Sequence, residues 1–322
     1  MGLNFLIKCS GQHFVSPFYH LVSDELLPHI KHLYPILSVK RFNEDLDFFE
    51  KHFRSIDAAT LVENVKSGNN FAGNNFFLSF DDGLRQFYDV VAPILLQRGI
   101  SATCFINTAF VDNKDMFYRL KASLLIEKLN NNSISCTTIS FINALFAPAG
   151  LTYTQPADLL KITFQTRNIL DKVAEIVEVD FQEFLNKQKP YLTSVQIMKL
   201  KEQGFTIGAH SVSHPYYVTL SEDEQVGQTL ESIEFVKERF QSESLLFSFP
   251  FSDFGVTFSF FDRIANQVDM TFGTASLKLD SVKSNLQRIP MENNYRNAKA
   301  TIKTEYLLFI LKKWMGKHII YR

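Results

Sequence analysis

Residues 76–83 read Phe76-Phe77-Leu78-Ser79-Phe80-Asp81-Asp82-Gly83, a short apolar run that ends in two adjacent carboxylates and a glycine. An apolar run of this length is typical of a strand that is buried on both faces of a parallel sheet. Two neighbouring carboxylates repel each other and raise one pKa, so a chain tolerates them where a cation or a chemical step uses both. We therefore interpret Asp81 and Asp82 as members of a site at the end of a buried strand.

A second apolar run, Phe205–Ala209, ends in the segment His210-Ser211-Val212-Ser213-His214. Two imidazoles and one carboxylate form a facial ligand set that leaves positions open for water and a substrate. The pattern therefore predicts that one divalent ion is held by Asp82, His210 and His214.

Asp81 lies beside this ligand set and need not bind the ion, so it is a candidate for the general base that deprotonates a water molecule. Each motif is weak alone, because an Asp-Asp-Gly turn is often only solvated and two histidines four residues apart occur by accident. Both motifs follow buried strands, however, and α/β folds place their active sites at the carboxyl ends of strands. Together the motifs indicate a metal-assisted hydrolase of an amide or an ester.

Composition bounds the class of protein. A chain of 322 residues can bury one large core or two smaller ones. The formal net charge of −1 gives no overall field that would recruit nucleic acid, so we expect no nucleic-acid partner. Cys9, Cys104 and Cys136 are too sparse for a disulfide framework, and residues 1–10 do not resemble a signal peptide. We therefore expect a cytoplasmic protein.

Short apolar runs alternate with amphipathic segments, which is typical of a parallel α/β architecture, either a barrel or an open sheet. The predicted strands are Phe76–Phe80, Ala102–Asn107, Phe205–Ala209, Leu246–Phe249 and Met270–Ala275. The predicted helices between them are Arg85–Arg98, Ser194–Gln203 and Ser221–Phe240. Residues 113–191 break this rhythm and are interpreted as a mostly helical insertion, with helices predicted at Met116–Leu129 and Ala157–Val177.

Three segments resemble a known family. Ser79-Phe80-Asp81-Asp82-Gly83 is similar to the T/S-F-D-D-G motif of the polysaccharide deacetylases, the NodB-homology or carbohydrate esterase family 4 enzymes. Gly204–His214 resembles their G-x-x-I-G-x-H-S/T-x-x-H block, and Phe247–Phe251 is similar to the aromatic-proline motif that lines their site. The resemblance covers roughly residues 71–112 and 195–290.

The resemblance implies an α/β fold, a distorted (β/α)7 barrel of the NodB-homology type. Residues 71–322 would form this barrel, with the helical insertion at about 113–191, and residues 1–70 would be an N-terminal arm that packs on it.

The resemblance also implies roles for individual residues. Asp81 would be the general base, and the ligands of one divalent metal ion would be Asp82, His210 and His214. The ion would be zinc, with cobalt, nickel and iron as alternatives. The substrate would contact Pro250 and Phe251, and the reaction would remove an N- or O-acetyl group from a sugar.

The chain departs from the family pattern in two places. Many members carry an arginine two residues before the motif's proline, where it steadies the catalytic base; this chain has Ser248 there. The late L-x-H motif, which supplies a general-acid histidine, is missing, and the sole histidine after Pro250 is His318. Arg288, which precedes Ile289-Pro290, is a candidate catalytic replacement that would hold Asp81 ionised and oriented. The alternative is a strand-edge arginine paired with a surface acid.

Tyr19-His20 and Val22 resemble a Y-H-x-V element found near the N-terminus of many family members. This similarity makes His20 a candidate substrate-binding residue at the mouth of the site. The alternative is that His20, like the nearby His29 and His32, lies in an irregular arm that packs on the barrel.

These features predict a metal-dependent deacetylase of an acetylated sugar or glycan intermediate, in surface-polysaccharide or glycolipid assembly. One alternative is a sugar-binding protein of the same fold that does not catalyse the reaction. The missing L-x-H motif favours this alternative. Another is a metal-dependent cyclic-amide hydrolase.

The stretch Tyr306–Lys317 has an apolar stripe with lysines around Trp314. It is either a weak peripheral membrane contact or, as we favour, a final barrel helix with a solvated basic end. The oligomeric state does not follow from the sequence.

Overall fold

The computed structural model describes residues 2–69, 71–132, 134–292 and 296–322. Its centre is a sheet of parallel strands that curves into a nearly closed barrel. We number the barrel strands in chain order as β1 (Pro17–Tyr19), β2 (Leu78–Phe80), β3 (Ala102–Ile106), β4 (Thr206–Ala209), β5 (Leu246–Ser248), β6 (Met270–Gly273) and β7, which consists of Asn285–Gln287 and Ile289–Pro290. The strands follow one another around the barrel in the order β7, β6, β5, β4, β3, β2, β1.

The barrel closes at Arg288, the residue between the two parts of β7. Asn285–Gln287 pair with β6, whereas Ile289–Pro290 pair with β1 on the other side. The backbone N–H of Arg288 donates to the carbonyl oxygen of Gly273 in β6 at 3.1 Å. One interrupted strand thus joins both edges of the sheet, and the predicted distorted (β/α)7 barrel is confirmed.

Helices surround the barrel and form the insertion. The α-helices among the described residues are Leu3–Ser10, Val39–His52, Ala58–Ser67, Ala92–Arg98, Tyr118–Asn130, Cys136–Phe146, Asn168–Ile176, Phe181–Gln188, Ser194–Glu202, Glu222–Phe240, Phe258–Ile264 and Ala298–Trp314. Shorter helical turns are Phe87–Val91, Val111–Asn113, Ala147–Ala149, Pro156–Lys161 and Tyr217–Thr219. Two small parallel sheets are formed by Phe14–Val15, Arg54–Ser55 and Asn75–Phe76, and by Leu279–Asp280 with Ile319–Ile320.

Most of the predicted elements are confirmed with slightly different ends. The helix Glu222–Phe240 begins with a capping box, in which the Ser221 hydroxyl accepts from Glu224 N–H and the Glu224 carboxylate accepts from Ser221 N–H. The prediction of one helix over Ala157–Val177 is wrong. The Thr163 N–H donates to the Thr166 hydroxyl, and such local side-chain bonds compete with the helical ladder, so the chain turns there.

The N-terminal segment, which we expected to be an arm that packs on the barrel, also contributes one strand to the barrel sheet. Pro17–Tyr19 is β1, which lies between β2 and β7 in the barrel sheet. Its three residues are buried. So short a strand, starting with proline, carries no alternating or extended apolar pattern in the sequence.

Aromatic side chains pack against one another inside the barrel. Phe77 stacks on Phe272 at 5.3 Å between ring centres, and Phe105 packs against Phe272 at 5.4 Å. Gly208 in β4 is required by this packing, because a Cβ there would lie 2.5 Å from the ring of Phe105. The polar site therefore lies at the carboxyl ends of the strands.

The helices between β3 and β4 form a second hydrophobic cluster with the segment that follows β1. Leu125 and Phe146 are fully buried there, together with Leu21 and Ile30 from the N-terminal segment. The insertion is thus packed on the residues that lead away from the barrel mouth. None of the helices in the described part of the chain is both long and apolar enough to span a bilayer.

Candidate active site

Five of the seven barrel strands, β1, β2, β4, β5 and β6, deliver polar or aromatic residues to one cavity of about 300 Å³ at their carboxyl ends. Its lining residues are Phe18, His20, Leu33, Tyr34, Asp81, Asp82, Phe117, Arg119, His210, His214, Phe249, Phe251 and Thr274. The place agrees with the general position of active sites in α/β barrels. The structure therefore brings together most of the residues that the sequence singled out.

Asp81 follows β2 and is held by Arg288 from β7. The guanidinium donates from Nη1 to Oδ1 and from Nη2 to Oδ2, both at 2.7 Å, and both side chains are buried. Burial alone would raise the pKa of Asp81, but the charge and hydrogen bonds of Arg288, together with His210 and His20, outweigh burial and lower that pKa below its ordinary value. Asp81 is therefore a carboxylate near neutral pH.

Ser248, at the family's arginine position, contacts both members of this pair. Its hydroxyl oxygen accepts from Arg288 Nη2 at 2.5 Å, and the hydroxyl lies 3.3 Å from Asp81 Oδ2. Arg288 also donates to the Ser79 hydroxyl at 3.1 Å and lies 4.2 Å from the ring centre of Phe18. The guanidinium is thus inside the barrel, and the alternative of a surface ion pair is wrong.

Asp82, His210 and His214 form a buried cluster beside Asp81. Asp82 Oδ1 lies 3.5 Å from His210 Nε2 and 3.2 Å from His214 Nε2. One donor atom from each residue lies within 4.8 Å of the others. Burial alone would raise the pKa of Asp82, but the imidazole of His214, together with those of His20 and His210, lowers that pKa below its ordinary value.

These residues fit a divalent metal ion. Asp82 Oδ1 is buried and has no hydrogen-bond partner among the described residues, although burying a bare carboxylate oxygen is costly. His210 Nδ1 donates to the Ser248 carbonyl at 2.7 Å, which directs Nε2 to the cluster. Burial lowers the pKa of His210 to about 4, so its imidazole is neutral and able to bind a metal near pH 7. An ion would satisfy all three donor atoms.

The backbone at the site adopts conformations that are unusual for side-chain-bearing residues. The φ angles of Asp82, Ser211 and His214 are 72°, 66° and 58°. Gly83 also has a positive φ of 63°, and a Cβ there would meet Ile106 at 3.0 Å, which explains the glycine after the two aspartates. Strain of this kind is concentrated at functional sites, where the surrounding structure maintains it.

His20, directly after β1, lines the cavity and is paired with Glu292. Its Nδ1 lies 2.5 Å from Glu292 Oε2, and Glu292 Oε1 accepts the backbone N–H groups of His20 and Leu21 at 2.6 and 2.8 Å. Burial would lower the pKa of His20, but the Glu292 charge and hydrogen bond outweigh it and raise that pKa to about 10. His20 is therefore a protonated imidazole in the cavity wall.

Aromatic residues hold His214 from both sides. Its ring centre lies 4.2 Å from that of Phe117, which the insertion supplies, and 4.7 Å from that of Phe251. Pro250, predicted to contact the substrate, is buried and is not among the lining residues of the cavity. The chain turns sharply at Phe251, where φ is 58°, and this turn presents the ring and not the proline.

Other predicted histidines lie away from the cavity. His29 packs against Phe184 of the insertion, His32 lies 3.0 Å from Glu127, and His318 packs against Phe309. Sequence reasoning did not identify Glu292, Phe117 and Arg119 as site residues. The sequence held a signal for Glu292, because this acid directly follows the Arg288–Met291 segment. The residues around Phe117 and Arg119 give no such signal.

Several solved structures share this fold. The Streptococcus pyogenes deacetylase PplD in complex with acetate is 14% identical, with a TM-score of 0.58, and the match covers 91% of this chain and 97% of that one. IcaB from Ammonifex degensii is 14% identical, with a TM-score of 0.56 over 92% and 98% of the chains. A de-N-acetylase from Aggregatibacter actinomycetemcomitans is 13% identical, with a TM-score of 0.54 over 91% and 99%. Identities this low establish the fold alone.

A comparison with curated proteins finds no significant match. A sequence model of the family described as polysaccharide deacetylase matches residues 68–273, more than half of the chain, and this stretch contains the aspartate pair and both cluster histidines. The chain therefore belongs to the polysaccharide deacetylase family.

Proposed function

We propose that this protein is a metal-dependent hydrolase that removes an N- or O-acetyl group from a sugar. The observation that carries the proposal is the arrangement of Asp81, ionised and fixed by Arg288, beside the three-residue cluster in one cavity. The cluster would hold one divalent ion, and zinc suits two imidazoles and one carboxylate. When bound, such an ion polarises a carbonyl group and lowers the pKa of a water molecule.

Asp81 has the properties of a general base. Its two oxygens are oriented by the planar fork of Arg288, and the same contact keeps the carboxylate charged in a buried place. It accepts the proton of the water whose oxygen adds to the acetyl carbon. Family membership supports the hydrolysis of an acetylated sugar over that of a cyclic amide.

His20 is the candidate proton donor for the leaving group. The acetyl C–N or C–O bond breaks with its electron pair on the sugar nitrogen or oxygen, which must then be protonated. His20 is protonated because the Glu292 carboxylate stabilises the charged imidazole, and His20 lines the same cavity as Asp81. This pair would take the place of the missing L-x-H histidine, which weakens the case for a sugar-binding protein without turnover.

We further propose that the protein acts in the cytoplasm on an intermediate of surface-polysaccharide or glycolipid assembly, with a weak peripheral membrane contact. The membrane contact is supported by the helix Ala298–Trp314, which exposes one apolar face to solvent. The face consists of Leu307, Leu308, Leu311, Trp314 and Met315. Lys312, Lys313 and Lys317 flank it, a combination that favours anionic lipid surfaces.

Metal analysis combined with acetate release tests the central proposal. The purified protein should bind one zinc ion per chain and release acetate from acetylated sugars. The variants His210→Ala and His214→Ala should lose both properties while keeping the fold, and the exposed His13→Ala serves as the matched control.

Metal retained by the His210→Ala, His214→Ala double variant would overturn the ligand assignment. Sugar binding without acetate release by the metal-loaded protein would instead support a binding function. Hydrolysis restricted to cyclic amides would overturn the proposed substrate class.

A further inference from the structure

Among the described residues, the charged groups of the cavity have an ion-pair partner or belong to the candidate metal cluster, with one exception. Asp81 is paired with Arg288 and His20 with Glu292, and Asp82 is the one carboxylate of the cluster. Arg119 takes part in no ion pair with the described residues, and its buried Nε atom has no hydrogen-bond partner among them. A guanidinium cannot lose its charge near neutral pH, so the wall contributed by the insertion keeps one uncompensated positive charge.

The position of Arg119 is fixed close to the reacting centre. Its guanidinium carbon lies 5.3 Å from the ring centre of Phe251 and 6.0 Å from that of Tyr118. His214 contacts the same Phe251 ring at 4.7 Å. A group bound to Arg119 would therefore belong to the acetylated sugar or to its immediate neighbour.

We infer that the substrate carries an anionic group, a phosphate or a carboxylate, beside the acetylated sugar, and that Arg119 binds this group. The inference deepens the proposed function and rests on it for the identity of the acetylated sugar. A bound divalent ion would add further positive charge, because the cluster supplies a single carboxylate, Asp82. A cavity with this surplus attracts an anionic ligand over a neutral one of the same shape.

Arginine matches both candidate anions in geometry. Its planar fork donates two parallel hydrogen bonds to a carboxylate or to a phosphate. The two anions would come from different sources, a uronic acid in the first case and a nucleotide- or lipid-linked sugar in the second. Because both place the same chemistry at Arg119, the experiment must separate them.

Three probes of one N-acetylated hexosamine provide the test: its 1-phosphate, its uronic acid and its neutral methyl glycoside. With the metal-loaded enzyme, kcat/KM for one anionic probe should exceed that for the neutral glycoside by roughly 10- to 100-fold, the range of a charge-assisted hydrogen bond. The preferred anion identifies the source. Arg119→Met should lower this ratio mainly through KM, Arg119→Lys should retain part of it, and Arg119→Glu should reverse it.

A matched control is Arg167→Met, because Arg167 also belongs to the insertion and lies over an aromatic ring, 3.9 Å from the centre of Phe164, but does not line the cavity. This variant should keep the wild-type ratio. Raising the salt concentration should reduce the preference for the anionic probe in the wild type and not in Arg119→Met.

Calorimetric binding of the same probes separates failure of the inference from failure of the proposed function. If no probe is hydrolysed but an anionic probe binds in an Arg119-dependent way, the inference stands and the proposed reaction is wrong. If the neutral glycoside is hydrolysed as well as both anions, and Arg119→Glu leaves the ratio unchanged, the inference is wrong and the reaction stands. No hydrolysis and no Arg119-dependent binding would overturn both.

Discussion

Arg288 and Asp81 form a two-bond ion pair inside the barrel, although 207 residues of sequence separate them. Both oxygens of the carboxylate accept from the guanidinium at 2.7 Å, and the arginine side chain is completely buried. The pair lies at the seam where β7 joins both edges of the sheet. Closure of the barrel and orientation of the Asp81 carboxylate therefore depend on the same residue.

Replacing Arg288 by methionine should damage both properties. Leaving Asp81 without its partner should cost about 3–5 kcal/mol of unfolding free energy, the range for a broken buried pair. The pKa of Asp81 should rise, because the guanidinium is what lowers it, so the acidic limb of the pH–rate profile should move to higher pH. Arg288→Lys should restore only part of the rate, since lysine lacks the planar fork. Lowered stability with an unchanged pH profile would show a purely structural role.

Asp81→Asn should separate the base from the metal site. The substitution keeps the size of the side chain but replaces one oxygen that accepts from Arg288 by an amide nitrogen and removes the proton acceptor, so the rate should fall by about 10²–10⁴-fold. Metal content should stay at the wild-type level, because the cluster of Asp82, His210 and His214 is intact. Deacetylation near the wild-type rate at matched metal content would place the base elsewhere.

Local sequence predicted the parts of the site that lie within single motifs. Asp81, Asp82, His210 and His214 directly follow apolar runs, and the strands that these runs form end at one edge of the barrel. Arg288 could be named as a candidate, but its partner could not be decided from the sequence. That contact depends on the register with which β7 pairs with both β6 and β1.

The missed features depend on tertiary structure alone. β1 is three residues long and begins with Pro17, so it lacks the alternation that marks longer strands. Phe117 and Arg119 reach the cavity because the insertion folds back over the barrel mouth. The sequence around Phe117 and Arg119 indicates only that an ordinary helix begins at Tyr118.

Glu292→Gln should move the alkaline limb of the pH–rate profile to lower pH. The Glu292 charge raises the pKa of His20 to about 10, and glutamine keeps the shape without the charge. His20 should then lose its proton at a lower pH, and the rate of a reaction that needs protonated His20 should fall with it. The profile is measured with saturating metal, and His20→Asn should remove this limb. An alkaline limb unchanged in Glu292→Gln would exclude His20 as the proton donor.

His29 should make the fold sensitive to mild acid. Burial lowers the pKa of His29 to about 4, so between about pH 6.5 and pH 4 the unfolded chain binds a proton that the folded chain excludes. Stability should therefore fall as the pH falls through this window, by about 2 kcal/mol between pH 7.5 and pH 5 from this residue alone. In urea unfolding of the metal-free protein, His29→Leu should lose less stability over that interval than the control His13→Leu. Equal losses would contradict the assignment.

The helix Ala298–Trp314 offers a direct optical test of the proposed membrane contact, because Trp314 is the sole tryptophan of the chain and its side chain is 93% exposed. Its fluorescence should shift to shorter wavelength when vesicles containing anionic lipid are added, since the indole enters a less polar layer. Vesicles of neutral lipid should give a smaller shift, and high salt should weaken the response through Lys312 and Lys313. Leu311→Ser should reduce it by removing apolar area from the same face. An emission maximum that no vesicle moves would show that this face is only the solvated end of a barrel helix.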